Sequence, residues 1–187
     1  MAKYGIAETT RVTGKCFDFI FNAAVENGSV VAKGNLVEGE RNIYNATIPT
    51  AKSEIFLVAN PAWSYDDSSL LLKNEDQYIN PANRPFRVYG LLDINHDRFA
   101  VMDYSITPTQ SGGEDVDPAV GDYIGVDGTT MKLINLGTTA PTAATTGFIG
   151  KIIEIENLTY QRVAGSAGTI IMGGKRIVIE VIQNKNV

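Results

Sequence analysis

The chain has 187 residues, 44 % of them hydrophobic and 20 % charged, with a formal net charge of −5. That is the balance of a soluble globular protein, long enough to bury a core without covalent staples. No apolar run approaches the roughly 20 residues that span a bilayer, and the opening Met1-Ala-Lys-Tyr-Gly-Ile6 lacks the apolar stretch of a secretory signal, so neither membrane anchorage nor export is expected.

The single cysteine, Cys16, rules out an internal disulfide. Charge is unevenly spread. Residues 66–127 hold 12 acidic and 4 basic side chains, residues 1–65 hold six of each, and residues 128–187 hold 6 basic against 3 acidic. A nucleic-acid footprint needs clustered Lys and Arg with a basic balance, so no nucleic-acid partner is expected from this dipolar distribution.

Taken in chain order, almost every periodic segment reads as strand. Residues 29–33, 43–48 and 55–59 are short, β-branched or aromatic, and bounded by Gly, Asn or Pro. Residues 86–92 and 99–106 follow, separated by the turn-like Asp93-Ile-Asn-His-Asp97. Then come 123–126, 131–136, 148–155 and 176–182, the last with Ile177, Ile179 and Val181 on one face and Val178, Glu180 and Ile182 on the other. Short strands at this spacing, joined by Gly-rich turns, predict an all-β protein. Very little helix is expected; the best candidate is 69–78, at most two or three turns.

Residues 66–84 are predicted to be a connection, because each proline of Asn80-Pro-Ala-Asn-Arg-Pro85 removes a ladder donor and biases its predecessor to extended backbone. This divides the chain into an N-terminal β-strand arm and subdomain (1–65), the connection (66–84) and a C-terminal β-barrel-like domain (85–187). Residues 107–119 read as an exposed loop and 138–146, rich in Thr and Ala, as a mobile loop tip.

No catalytic constellation assembles from these residues. His96 lies in a polar turn rather than beside a nucleophile. Cys16 sits in Gly-Lys-Cys-Phe-Asp-Phe, where a buried inert thiol is expected. Glu114, Asp115, Asp117 and Asp122 lack the ligand offsets, central Gly and closing Glu of a calcium loop. Gly165–Gly168 and Gly173–Gly174 lack the helix and Lys-Ser/Thr of a phosphate loop and read as hairpin turns. Glu38 and Glu40 read as a charged turn, in which Gly39 suits a positive φ. Trp63 and Tyr65 share a face if extended, and serve either as a cap on the core or as an aromatic anchor for a partner. Neither a cofactor nor a metal ion is expected.

One stretch is more specific than its chemistry. Glu26-Asn-Gly-Ser-Val-Val-Ala-Lys-Gly-Asn-Leu-Val-Glu-Gly-Glu-Arg-Asn-Ile-Tyr44, followed by Ile48-Pro-Thr50 and Ile55-Phe-Leu-Val-Ala-Asn-Pro61, resembles the N-terminal half of a group of tailed-phage head proteins. These are the small β-rich capsid decoration, or cement, proteins of phages infecting Gram-positive hosts. The second half is similar to them too, in Phe99-Ala-Val101, Val120-Gly-Asp-Tyr123, Met131-Lys-Leu133, Gly147-Phe-Ile-Gly-Lys-Ile-Ile153 and Ile177-Val-Ile-Glu-Val181. The resemblance spans most of residues 24–182.

It implies a non-enzymatic virion protein on the capsid exterior, made in the host cytoplasm, which binds the outer surface of the major capsid protein lattice and stabilises the mature head. Self-association is implied as well, with a trimer the arrangement suggested by other cement proteins, and no nucleic acid or membrane as partner. The family carries over no individual functional residues, so the candidate capsid contacts are chosen for type and position: Tyr4 and Arg11 in the N-terminal arm, and Trp63 with Tyr65. The alternatives are another phage structural part, such as a head-completion or tail protein, and a carbohydrate- or cation-binding β module using Trp63 and Tyr65 or the carboxylates of 114–127.

Overall fold

The computed structural model describes residues 5–61, 78–111, 114–163 and 169–187, with the backbone alone at 109–111, 114, 158–163 and 169–173. Fourteen strands are described: β1 (Ala7–Arg11), β2 (Cys16–Ile20), β3 (Val30–Leu36), β4 (Ile43–Thr47), β5 (Phe56–Val58), β6 (Phe86–Gly90), β7 (Arg98–Met102), β8 (Ile106–Thr107), β9 (Thr109–Ser111), β10 (Glu114–Val116), β11 (Tyr123–Val126), β12 (Leu133–Gly137), β13 (Phe148–Val163) and β14 (Thr169–Asn184). Among the described residues the one helical element is a 3₁₀ turn at Asp103–Ser105. The all-β architecture predicted from periodicity is the architecture found.

The strands form two main sheets. β2-β4-β3-β5-β6 close into a barrel, sealed by antiparallel pairing of β2 with β6. The second sheet has seven strands in the order β1-β7-β14-β13-β11-β12-β8, and β9 with β10 makes a small separate hairpin. The barrel expected within 85–187 is thus built from residues 16–90, and the second half of the chain supplies most of the larger sheet. Alternation explains the placement of β6. Phe86, Val88 and Gly90 are buried while Arg87 is exposed, so one face of this strand completes the barrel wall beside β2. The period identifies a strand and its inner face, but not which sheet it joins. The expected N-terminal arm is also a sheet strand: Ala7 and Glu8 of β1 lie opposite Val101 and Ala100 of β7.

Two hydrophobic clusters result, and the barrel wall contributes to both. Phe19, Val25, Val31, Ala46, Phe56, Val58, Phe86 and Val88 fill the barrel. Val30, Ile55, Leu57 and Leu91 belong instead to the cluster of Phe99, Val101, Phe148, Ile152, Ile177 and Ile179. Successive residues of a strand project to opposite sides, so Val30 and Val31, or Leu57 and its neighbours Phe56 and Val58, divide between the barrel interior and the inter-sheet layer. This is why Phe56-Leu-Val58 is buried throughout and why its sequence shows no polar alternation. Each such large side chain removed from water contributes about 1.5–3 kcal/mol.

Two buried polar side chains tie the sheets together. The Asn184 amide donates to the carbonyls of Ile55 (2.9 Å) and Leu91 (3.0 Å), and its oxygen accepts from the Ile55 N–H at 2.8 Å. The Asp97 carboxylate, 1 % exposed, accepts from Thr13 Oγ1 at 2.6 Å and the Leu92 N–H at 2.9 Å. Asp97 therefore pins the β1–β2 link and the end of β6 to the turn before β7. Its main-chain carbonyl accepts from the Val181 N–H at 2.8 Å.

Candidate functional site

The feature that departs most from a compact shape is the hairpin of β13 and β14, each 16 residues long. β7 pairs with β14 only over Arg176–Glu180, and β11 pairs with β13 only at Gly150 and Lys151. From Asn157 opposite Lys175 to Val163 opposite Thr169, seven rows of the hairpin have no other strand partner among the described residues. At about 3.4 Å per residue this two-stranded ribbon extends roughly 20 Å past the sheet. An unsupported two-stranded ribbon is marginal in water, so its base needs anchoring.

Ion pairs on both faces supply that anchor. On one face Arg176 of β14 bonds Glu8 of β1 and reaches Glu156 of β13, with Nη2 at 2.8 Å from Oε2 and 2.9 Å from Oε1. The bond to Glu156 comes first, with the charges of Glu8, Glu156 and Glu154 behind it. Together they raise the Arg176 pKa against the opposing effect of burial. On the other face Lys175 Nζ lies 2.9 Å from Asp117 Oδ2, a bond that raises the lysine pKa. The Lys175 N–H also points at Asp103 Oδ2 at 3.4 Å.

Around Arg176 the outer face of the larger sheet forms a shallow hollow of about 170 Å³, with Ala100 and Val178 among its lining and Glu8, Glu154, Arg11 and Arg98 around them. Arg98 turns to Glu180 at 3.5 Å. The hollow presents mixed charge and no group placed as nucleophile beside a base. Substituting Arg176 by Met is expected to lower global stability by only about 1 kcal/mol, because the network is partly solvated, yet to speed amide exchange at the ribbon base. Hydrogen exchange at residues 154–157 and 174–177 against that of β7 measures the difference.

The residues singled out from sequence fall in different places. Arg11 is exposed at the end of β1, in register with Arg98, and lines the hollow. Tyr4, Trp63 and Tyr65 lie outside the described residues, as does most of the helix candidate 69–78 and the Gly165–Gly168 turn. Cys16, expected to be buried, is exposed on β2, because Phe19 rather than Cys16 occupies the inward register of that strand. Gly173 and Gly174 lie inside β14 and not in a turn. His96 sits in the turn before β7 with φ 49°, its Nδ1 3.8 Å from Glu180. The 138–146 segment is fastened by Gln183, whose Nε2 donates to the carbonyls of Ala143 (3.0 Å) and Thr146.

The acidic residues of 114–127 disperse. Asp117 faces Lys175, while Asp122 is buried and accepts from the Ala119 N–H (3.0 Å) and Asn135 Nδ2 (3.2 Å). Asp127 closes its own turn. Thr129 Oγ1 first, then Thr130 Oγ1 and the Thr129 N–H, donate to its carboxylate and hold its pKa below the ordinary 3.8. A lowered folded pKa means that these bonds stabilise the turn fully above the ordinary carboxylate range. The stabilisation is lost as pH falls through that range toward the lowered folded value. Replacing Thr130 by Val is expected to move the Asp127 titration upward in a carboxyl NMR experiment. Among the described residues no three of His, Cys, Asp and Glu converge to hold a metal ion, and no helix is long and apolar enough to cross a membrane.

What sequence reasoning missed at this site is the length of β13 and β14, and with it the ribbon and its anchor. The visible signal is the opposite charges of Glu156, just past the strand candidate 148–155, and Arg176, the first residue of the candidate 176–182; the glycines between them mask it by reading as turns. Comparison with protein-family models, with curated protein sequences and with solved structures returned no match.

Proposed function

We propose that this protein is a structural component of a tailed-phage virion that binds the outer surface of the major capsid protein lattice and stabilises the mature head. The observation that carries the proposal is the run of motifs in residues 26–61. The signals on which the resemblance to decoration proteins rests are turn and strand signals, and they sit at turns and strands of the barrel. Gly28 and Gly39 both adopt φ 82°, before β3 and between β3 and β4. The Leu-Val-Glu-Gly-Glu-Arg segment runs from the end of β3 through that turn, and Phe56-Leu-Val58 is the shared-wall strand β5.

The physical demands of such a role agree with the fold. A cement protein is made at high copy and waits in solution until the shell expands, so exposed strand edges are a hazard. Here the barrel has no edges. Of the other described edges, β1 carries Glu8, Arg11 and a register shift, β8 has two residues, and β9 and β10 have three each, while the outer edges of the β13–β14 ribbon are the exception, with no described partner strand. The anchored ribbon and the charged hollow beside it offer surface for coat contacts, and many modest contacts repeated over a lattice act through avidity. The protein acts by binding, with no turnover. Quantifying its copies per purified virion tests the reading against the alternative of a ring component. A number comparable with that of coat subunits supports decoration, and a number equal to one small ring contradicts it.

A further inference from the structure

Strand register lines up five side chains across the outer face of the larger sheet. Tyr123 of β11 lies opposite Lys151 of β13, Lys151 opposite Glu180 of β14, Glu180 opposite Arg98 of β7, and Arg98 opposite Arg11 of β1. Residues directly opposite share a face, so one row holds Lys151, Arg98 and Arg11 with a single carboxylate. Glu180 Oε1 lies 3.5 Å from Arg98 Nη2 and 3.8 Å from His96 Nδ1, while Lys151 Nζ stands 5.6 Å from the centre of the Tyr123 ring. Arg11 is exposed and has no ion pair among the described residues. The acid of its own strand, Glu8, is bonded to Arg176. The row carries surplus positive charge on a chain whose net charge is −5.

Like charges directly opposite destabilise an antiparallel pair, so Arg11 facing Arg98 opposes the pairing of β1 with β7 rather than supporting it. A carboxylate set between the two guanidiniums reverses that sign, since each offers it a planar fork of donors. Beside this pair stands the turn from Leu92 to Asp97, fastened at several points. The Asp97 N–H donates to the Leu92 carbonyl (3.1 Å), the His96 N–H to the Asp93 carbonyl (3.0 Å), and Asn95 Nδ2 to Thr13 Oγ1 (2.8 Å). His96 holds φ 49°, a left-handed backbone uncommon outside glycine. What this fixed turn presents is Ile94, 88 % exposed, the most exposed of the large hydrophobic side chains described. Ile182, two residues past Glu180 on β14, is exposed as well.

We infer that this end of the larger sheet is the face that docks on the coat, taking an Asp or Glu side chain of an acidic coat loop between Arg11 and Arg98 and an apolar neighbour of that side chain against Ile94. The inference rests on the capsid proposal for the identity of the partner, and adds the contact surface and its chemistry. Charge complementarity selects the occupant: surplus arginine on an otherwise acidic protein fits an acidic partner and disfavours a basic one. The aliphatic tip supplies an anchor, and because the turn is already held in place, covering it requires little further ordering. Backbone strain held in a well-fastened segment is a mark of such functional positions.

Co-sedimentation of the full chain with expanded shells, comparing the wild type with three variants, tests it. Arg11→Glu and Ile94→Ser change exposed side chains, and each is expected to weaken binding by about tenfold or more. Arg84→Glu makes the same charge change at an exposed position ahead of β6, at the opposite end of that strand from the turn. It is expected to bind like the wild type. Arg11→Glu also sets opposite charges face to face at Arg98, so its thermal melting, followed by circular dichroism, is expected to be no lower than that of the wild type.

If the wild type binds and either Arg11→Glu or Ile94→Ser binds as tightly, the inference is overturned and the capsid proposal stands. Equal weakening by Arg84→Glu overturns it too, because net charge rather than this row would then set the affinity. A lower melting temperature for Arg11→Glu would mean that Arg11 supports the sheet, which contradicts the reading of the row. A folded wild type that binds no shell overturns the inference and the capsid proposal together.

Discussion

Replacing Asn184 by alanine is expected to lower the unfolding free energy by about 3–5 kcal/mol, because one truncation strands three buried main-chain groups at about 1–3 kcal/mol each, less what relaxation recovers. The groups are the Ile55 N–H, the Ile55 carbonyl and the Leu91 carbonyl, at the ends of β5 and β6. None of the three lies where water enters easily, since Ile55 and Leu91 are 0 % and 2 % exposed. Asn184→Asp is expected to be no better, as it exchanges two donors for a carboxylate facing two carbonyls. Urea unfolding at neutral pH measures both variants, and a loss below about 1 kcal/mol in either would mean that these main-chain groups find other partners.

Phe148→Ala is expected to cost about 3–5 kcal/mol, the range for emptying a fully buried aromatic site. Phe148 is 0 % exposed, with its ring centroid 6.4 Å from that of Phe99. The more informative result is the extent of the effect. Val30, Ile55, Leu57 and Leu91 of the barrel side share the Phe148 cluster, so the barrel and the larger sheet are expected to unfold in one transition. Hydrogen exchange reads this directly: the most protected amides of β3 and β5 should lose protection together with those of β13. Barrel amides that keep their wild-type protection would show that the two clusters hold separately.

How far the sequence could be read followed from what each signal encodes. Periodicity of two marked strands and inner faces well. Residues 123–126 match β11, and Ile177, Ile179 and Val181 are the buried side of β14. Gly39 takes the positive φ that a charged turn demanded. Pairing was not legible, because a strand carries its face in its pattern but its neighbour only in the whole fold. So β6 joined the barrel, β1 joined the larger sheet, and the barrel lay in the first half of the chain.

The glycines misled in a specific way. Gly173 and Gly174 read as punctuation, yet they continue β14, and a Cβ at Gly174 would stand 2.6 Å from the Met102 side chain. That atom is the terminal methyl of a flexible side chain and can swing aside, so the approach does not by itself demand glycine. The polar residues after Ile182 likewise read as the end of a strand, whereas Gln183 and Asn184 continue β14 and are both buried and bonded. Of the four candidate contacts only Arg11 can be placed, at the rim of the charged hollow. The ribbon base was readable only once β13 and β14 were known to be continuous.

Co-sedimentation of the purified protein with expanded phage shells lacking it, and with unexpanded proheads as control, tests the central proposal most directly. The account predicts saturable binding to expanded shells, at copy numbers that track the coat lattice, and little to proheads. Absence of binding to either shell, under conditions where the protein is folded, would contradict it.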